Sequence, residues 1–589
     1  METDTAATFR WTLRPVDDEA RVAALSQALN RLPEPLARAL VLRGVGGFDE
    51  ARHFFRAGLD GLHDPFRMRD MDRAAERLAQ AIETGERVLV YGDYDVDGTT
   101  ATALMTLFLR AHGVEATYFI PSRFEHGYGL GQAGFDHAAE VGATLVVALD
   151  CGITAVDEAA YARAKGLDLV ICDHHEPGET LPEAVAVLDP KRPDCGYPFD
   201  GLSGCGVGFK LVQATLHRLG RPAEDAWPYL DLVAVSTASD IVPLVDENRI
   251  LMREGLRRLC VAPRLGLVAL AERAGVDLTA CTSSKIVFNL GPRINAAGRL
   301  DDASLAVDLL VADDRDEAAR LADRIEALNQ QRRDLDFQTR DEALRMAEAF
   351  MPASPFALVL HQPGWHPGVI GITASRVAEQ FHRPTVLLTA GEGGLAKGSA
   401  RSVKGISIYK ALASCPEGLL ARFGGHDFAA GLALRVEDIP TLREHLNAAI
   451  AEAIASPDVL TPELELDAVL DLAAIDARFW NVLEQFGPYG PENPRPLFWG
   501  RDLRIVGSPA TVGGDGRHLR LRVAQRGGGP PFSVIGFGLG ERLDVALKSV
   551  RRGRPVELAF SVEENHWNGR TSLQLRAKDV RLQDDGEAA

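Results

Sequence analysis

Three carboxylates, Asp93, Asp95 and Asp97, sit in the run VLVYGDYDVDGTTATAL, directly after a short apolar stretch and before Gly98 and two threonines. The stretch VLVYG has the length and composition of a buried strand, and the threonines suit the opening of a helix. Like charges clustered at the end of a buried strand raise one another's pKa and resist desolvation, unless a cation sits among them. A divalent metal removes the difficulty. The competing readings are a solvent-exposed acidic turn and an EF-hand-like calcium loop, but the loop lacks the glutamate that should close it six positions after the glycine, where this chain has Leu104.

Two further runs end in the same chemistry. LVVALDCGIT carries Asp150 at its carboxyl end, and LDLVICDHHEPG ends in Asp173, His174 and His175. If the strands lie in one parallel sheet, their ends bring Asp95, Asp150 and His174 together from distant parts of the chain. Mixed carboxylate and imidazole ligands suit manganese well, tolerate magnesium and lack the thiolates of structural zinc sites. A carboxylate shared by two ions gives the clamp used for phosphodiester hydrolysis.

The elements that must position these groups read as an α/β multidomain chain. From Arg87, short apolar strands at 88–92, 145–150 and 167–172 alternate with helices, the mark of a mostly parallel sheet. Residues 1–50 read as a helical preface that caps the first domain. The proline-free stretch 302–350 reads as one or two long helices connecting two lobes. FALVLH, PTVLLT, GSARSV and an amphipathic helix near 440–455 form a smaller α/β lobe, and PDVLTPELELDAVL reads as a linker. Five short strands beyond it, separated by glycine-rich turns, suggest an OB-fold β-barrel.

Composition narrows the classes. At 589 residues the chain calls for about three or four domains. Its seven scattered cysteines form no CxxC pair, which argues for a reducing compartment and against a disulfide scaffold. METDTAATFR lacks the basic start and apolar run of a signal peptide, and no stretch near 18 apolar residues appears, so a cytoplasmic protein without a membrane partner is expected. Net charge is −19, yet Arg501–Val580 holds 14 lysines and arginines against 8 acids, so a local nucleic-acid track is compatible with the whole.

The motifs GDYDVDGTTAT, ALDCGIT, CDHHEPG and STASDIVPL resemble the four successive motifs of the DHH phosphoesterase superfamily, in wording similar to its RecJ exonuclease branch. The likeness extends through PSRFEHGYGL, FNLGPRINAAGRL, GWHPGVIGITASRV, KGSARSVKGISI and GGHDFAAGLAL, over about residues 10–585. It implies a DHH catalytic domain at 51–301, a connecting helix at 302–350, a DHHA1 domain at 351–458 and an OB domain at 463–585. Asp93, Asp95, Asp150, His174 and Asp240 become the ligands of two divalent ions, manganese preferred or magnesium, with Asp150 bridging. His175 becomes a neighbour of the ligands or a phosphate contact, and Asp173 orients the histidine pair. Many members carry a further histidine four residues before the first aspartate pair, where this chain has Leu89. Asp97 is left as a spare carboxylate or a helix cap.

The implied activity is a 5′-to-3′ exonuclease that hydrolyses single-stranded DNA to 5′-mononucleotides in recombination and repair. A monomer served by a single-strand-binding protein and a helicase is implied with it. Phosphate contacts are expected from Arg123, Arg293, Arg299, Arg376, Ser399 and Arg401, because arginine forks and hydroxyls match phosphate oxygens. Ordinary salt bridges are the competing reading for each arginine. His426 is a phosphate contact, a proton donor or part of a capped helix start. His518, Phe532, Phe537, Phe560 and Trp567 supply candidate base-stacking or core aromatics. Two other functions compete: a hydrolase of small phosphorylated molecules, which would need neither a third domain nor a basic tail, and a metal-free DNA-binding scaffold, which would not need every ligand position filled.

Overall fold

A computed structural model describes residues 9–123, 126–454, 456–567 and 570–583. The outermost parts of the expected 1–50 and 463–585 segments, and the side chain of Trp567, lie outside the described residues. The chain divides into two bodies: Ala57–Leu335 with Pro488–Pro494, and Met1–Arg56 with Asp336–Gly487 and Arg495–Ala589. No helix among the described residues is long and apolar enough to cross a membrane.

The first body is built on five parallel strands, β1 (Val88–Gly92), β2 (Ala116–Phe119), β3 (Leu145–Leu149), β4 (Asp168–Cys172) and β5 (Ala186–Leu188). Their order is β2-β1-β3-β4-β5. β2 and β5 were not expected from the sequence. Val88, Val90, Val147 and Leu149 face one apolar layer together with Leu104, Phe108 and Phe209, whereas Leu89, Tyr91, Val146 and Ile171 face another with Phe135, Ala159 and Ala162. Both faces are covered, which is why β1 and β3 read as continuous apolar runs. The chain leaves β1 for β2 on one side and returns to β3 on the other. The order therefore reverses between β1 and β3, the place where parallel sheets open a crevice at their carboxyl ends.

Helix Val96–Ala111 follows β1, and helices Gly204–Arg218 and Leu230–Ser239 pack beside it. Helix Gly204–Arg218 is tied down by a fully buried ion pair, Lys210 to Glu247 at 2.9 Å, and Glu247 also accepts from Tyr197 and the backbone of His63. The expected connecting helix is interrupted: a short helix, Ser304–Val311, precedes a continuous one, Arg315–Phe350, and the latter starts in the first body and ends in the second.

The second body holds a mixed sheet of β6 (Leu358–His361), β7 (Thr385–Ala390), β8 (Leu395–Arg401), β9 (Arg422–His426) and β10 (Ala429–Arg435), in the order β9-β10-β8-β7-β6. GGHDFAAG is thus the turn of a hairpin and not a helix start. A seven-stranded sheet follows: β11 (Ala468–Val469), β12 (Phe498–Ile505), β13 (Ala510–Val512), β14 (His518–Gln525), β15 (Phe532–Gly536), β16 (Val556–Trp567) and β17 (Arg570–Leu582). Its order is β11-β12-β16-β17-β15-β14-β13, and β12 also pairs with β14. The module is OB-like.

Residues 9–56 group with the second body. Strand Arg10–Leu13 pairs in parallel with Glu463–Leu466, so the expected linker is a strand at that point. Trp11 donates to Asp579 at 3.0 Å, meets Trp499 edge-on at 5.9 Å and lies under the Arg581 guanidinium at 4.5 Å. Trp11→Ala removes a buried aromatic and leaves Asp579 short of a donor. It is expected to destabilise the second body by about 3–5 kcal/mol, read as a lower urea midpoint of the transition that reports on Trp499.

Candidate metal centre

The site begins where β1 ends. Asp93 is buried, and its Oδ1 has no hydrogen-bond partner among the described residues. Asp95 caps helix Val96–Ala111, its Oδ1 accepting from the N–H groups of Asp97 (2.8 Å) and Gly98 (3.1 Å). The cap is thus Asp95, not Asp97. The following threonines are buried without loss, because Thr99, Thr100 and Thr102 donate back to helix carbonyls one turn earlier. Gly98 is fixed by closeness, since a Cβ there would stand 2.4 Å from the Asp93 carbonyl oxygen.

Asp97 has a different task. Its Oδ1 accepts from Cys205 N–H (2.8 Å) and the Ser236 hydroxyl (2.6 Å), and its Oδ2 accepts from Gly204 N–H (2.6 Å). It therefore binds the first turn of helix Gly204–Arg218, a favourable place for a carboxylate. Ser203 caps that helix and also hydrogen-bonds Ser236 at 2.6 Å. Ser203, Gly204 and Ser236 were not singled out from the sequence. The run SGCGVG does hold a small polar residue before a helix start, a usable signal that its acceptor partner, 107 residues away from Gly204, leaves without direction.

Asp150 follows β3 in a left-handed backbone conformation, φ 61°, with its N–H on the Cys172 carbonyl at 2.8 Å. That conformation costs on the order of 1–2 kcal/mol in a residue with a side chain. Here it turns the carboxylate toward the other strand ends: His174 Nε2 lies 3.1 Å from Asp150 Oδ1, 3.5 Å from Asp240 Oδ2 and 3.6 Å from Asp97 Oδ2. A Cβ at residue 204 would come within 2.6 Å of the Asp150 Cβ, so the helix can approach only with glycine there. Asp240 ends helix Leu230–Ser239, and its Oδ2 is buried without a hydrogen-bond partner.

Asp173, by contrast, is satisfied within the protein. It accepts from Ile153 N–H, His174 N–H and His175 Nδ1 at 2.7–2.8 Å, and so fixes both histidines. Burial opposes its charge, but the His175 hydrogen bond and charge hold it below the usual carboxylate range. His175 is held above the ordinary histidine range, as the Asp173 bond outweighs the penalty of burial. The Tyr128 hydroxyl stands 3.1 Å from His175 Nε2.

Ligand-capable atoms fall into three overlapping groups: Asp93, Asp95 and Asp150; Asp150, His174 and His175; Asp97, His174 and Asp240. Asp150 and His174 each join two groups. Burial first, then neighbouring carboxylates, lift Asp93 and Asp150 well above the usual range. The same causes push Asp240 up to about 9. Carboxylates that cannot all ionise together, two of them with a buried oxygen lacking a partner, fit divalent cations.

The expected phosphate contacts do not all join this centre. Arg123 lies over the Tyr94 ring at 4.1 Å and acts on Asp93. Arg299 ends helix Gly291–Leu300 and acts on Tyr94. Arg293 is buried against Glu326 and the Asn289 carbonyl, and Arg376 pairs with buried Asp336 at 2.7 Å. Ser399 and Arg401 lie at the end of β8 in the second body, 2.9 Å apart and both close to Gly371 in helix Pro367–Phe381. His426 is an exposed strand end of the same sheet. Of the aromatics, Phe560 is core, whereas Phe537 is 52% exposed.

The raised carboxylates tie metal binding to protons. Asp240 is protonated at neutral pH when no cation is bound, and a group whose pKa is raised on folding stabilises the fold at low pH and withdraws that support as pH rises toward 9. A divalent cation supplies what is lost. The gain in Tm from about 1 mM Mn2+ is therefore expected to grow between about pH 6 and 9. Calorimetry in buffers of different ionisation enthalpy should find protons released on binding, and about one fewer in Asp240→Asn. Proton uptake instead of release would contradict this electrostatic account.

The DHH family N-terminal domain model matches residues 87–237, the DHHA1 domain model residues 354–452 and the RecJ OB domain model residues 466–579. The single-stranded-DNA-specific exonuclease RecJ of Bacillus subtilis is 37% identical over 578 residues, covering 98% of this chain and 71% of the relative. That of Escherichia coli is 36% identical, covering 95% and 97%. The crystal structure of RecJ in complex with Mn2+ from Thermus thermophilus superposes with a TM-score of 0.81 at 32% identity, over 98% of this chain and 80% of that one. With these three modules in order along the chain and relatives of this identity over most of its length, the chain belongs to the RecJ family of single-stranded-DNA-specific exonucleases.

Proposed function

We propose that the chain is a metal-dependent phosphodiesterase that digests single-stranded DNA from its 5′ end to 5′-mononucleotides. The observation that carries the reading is the meeting of Asp93, Asp95, Asp150, His174 and Asp240 at the strand-order reversal, with the Asp93 and Asp240 oxygens buried and unpartnered. These five would hold two divalent ions, manganese or magnesium, with Asp150 shared between them. When bound, such ions supply an activated water and stabilise charge on the phosphate. The protein's own groups do the rest. Asp97 anchors the helix that supports Asp150 through Gly204, Asp173 fixes the orientation of His174, and His175 with Tyr128 offers hydrogen bonds at the edge of the cluster.

Polarity has a separate source in this reading. Chemistry at the cluster has no preference for one strand end, so direction comes from groups that accept a terminal phosphate. Ser399 and Arg401, side by side above Gly371, offer a hydroxyl and a guanidinium that suit a dianionic 5′ end. The OB-like module would take the continuing strand. The pairings β12 with β16, β16 with β17, β17 with β15, β15 with β14 and β14 with β12 support reading it as a closed barrel.

Asp150→Ala should lose more than about 1000-fold in turnover with the fold retained. Arg401→Ala should keep metal binding and lose on the order of tenfold to a hundredfold of the preference for 5′-phosphorylated over 5′-hydroxyl strands, the worth of one charged hydrogen bond. Matched single-stranded oligonucleotides labelled at either end read both. Wild-type turnover by folded Asp150→Ala overturns the metal mechanism, and digestion from the 3′ end overturns the polarity.

A further inference from the structure

Beyond the ligands, one cation at the strand ends has no part in the account so far. Strands β4 and β5 run in register, Cys172 opposite Leu188, so that Asp189–Pro190–Lys191 leaves the sheet beside Asp173–His174–His175. Lys191 is held by its backbone. Its N–H donates to Asp189 Oδ1 at 2.7 Å, and the next residue, Arg192, is buried with its guanidinium spent on Asp70, Asp194 and the Val187 carbonyl. The side chain is not held in the same way. Its Nζ meets only the Glu176 carboxylate among the described residues, at 3.5 Å, and Glu176 is 70% exposed. A pair so exposed is worth about 0–1 kcal/mol and exchanges readily. A firm base with a movable ammonium is therefore set beside the histidine pair.

The electrostatics raise a question of purpose. Asp93, Asp95, Asp97, Asp150, Asp173 and Asp240 are the acidic groups of the centre, and Lys191 is close enough to act on both His174 and Asp240. A fixed positive charge beside a cation site weakens cation binding. Lysine is costly there unless an anion arrives that uses it, and a phosphodiester brings one. A donor aimed at a phosphate oxygen gains strength as negative charge grows there during hydrolysis.

We propose that Lys191 is a catalytic residue of the phosphodiester hydrolysis, its ammonium exchanging Glu176 for a non-bridging oxygen of the phosphate under attack. This rests on the phosphodiesterase reading above. The role is one of charge stabilisation: the lysine keeps its proton, and water and the leaving 3′ oxygen exchange theirs elsewhere.

The test compares wild type with Lys191→Ala, Lys191→Gln and Lys191→Arg. Turnover of a 5′-phosphorylated single strand is measured at saturating Mn2+ and DNA, and the binding of Mn2+ alone is measured by calorimetry. Loss of one such donor should lower kcat by about 100-fold in the alanine and glutamine variants. KM should move less than about threefold, and Mn2+ should bind as tightly as in wild type or tighter, since a repelling charge is gone. Lys191→Arg, which keeps the charge, should recover most of the loss. A merely structural lysine would leave kcat at saturating metal unchanged. Turnover within about threefold of wild type in both neutral variants, or a loss matched by weaker Mn2+ binding, overturns the proposal. A wild-type protein that leaves the single strand intact instead overturns the functional reading beneath it.

Discussion

Repulsion among buried carboxylates is the constraint around which the catalytic body is arranged. Asp93, Asp97, Asp150 and Asp173 are each at most 3% exposed, and Asp240 lies among them. Such a cluster is unfavourable in a folded chain unless each charge meets a donor or a cation. The structure separates the two remedies. Asp97 and Asp173 are satisfied by backbone N–H groups, a hydroxyl and an imidazole. Among the described residues, Asp93 and Asp240 keep oxygens without partners, and Asp150 meets the neighbouring imidazole alone. The satisfied carboxylates are scaffolding, and the unsatisfied ones are those that the metal proposal takes as ligands.

Scaffolding of this kind explains features that otherwise look like cost. The buried Lys210–Glu247 pair adds little net stability over an apolar pair of the same volume. It does fix helix Gly204–Arg218, whose first turn both binds Asp97 and approaches Asp150 through Gly204. The left-handed backbone at Asp150 is likewise a strain that aims a side chain. Each of these contacts converts a preference of the backbone into the position of one carboxylate.

How much of this was legible follows from where the signals sit. Asp93, Asp95, Asp150 and His174 stood out because a buried parallel strand is a short apolar run and each polar residue followed closely on one. Asp240 ends a helix whose apolar sequence gives no such punctuation, so it came from motif likeness alone. The anchoring of Asp97 was hidden, as two of its three donors are main-chain N–H groups that any residue supplies. The pairing of Arg10–Leu13 with Glu463–Leu466 joins segments far apart in the chain, Arg10 lying 453 residues before Glu463, and nothing local in either names the other. GGHDFAAG read as turn-rich, with a helix start left open beside the turn. Its glycines fit a helix start as well as the sharp hairpin in which Gly425 adopts φ 141°.

The arginines show how an acidic protein meets a polyanion. With a net charge of −19, general attraction for DNA is absent, so binding must come from local placement. Sequence offered several arginines of equal promise, and packing has divided them. Arg293 and Arg376 neutralise Glu326 and Asp336 along helix Arg315–Phe350, which carries many acids and needs counter-charges where it is buried. Arg401 has no carboxylate within ion-pair distance among the described residues; its guanidinium donates to the Ser399 hydroxyl and the Ala400 carbonyl, and burial lowers its pKa. A half-buried guanidinium that meets only neutral acceptors is favoured beside a phosphate. Asp93 and Asp240 keep oxygens that meet no donor among the described residues, whereas the Arg401 guanidinium meets only neutral partners, the Ser399 hydroxyl and the Ala400 carbonyl; in the proposed reading a metal completes the first and a substrate phosphate the second.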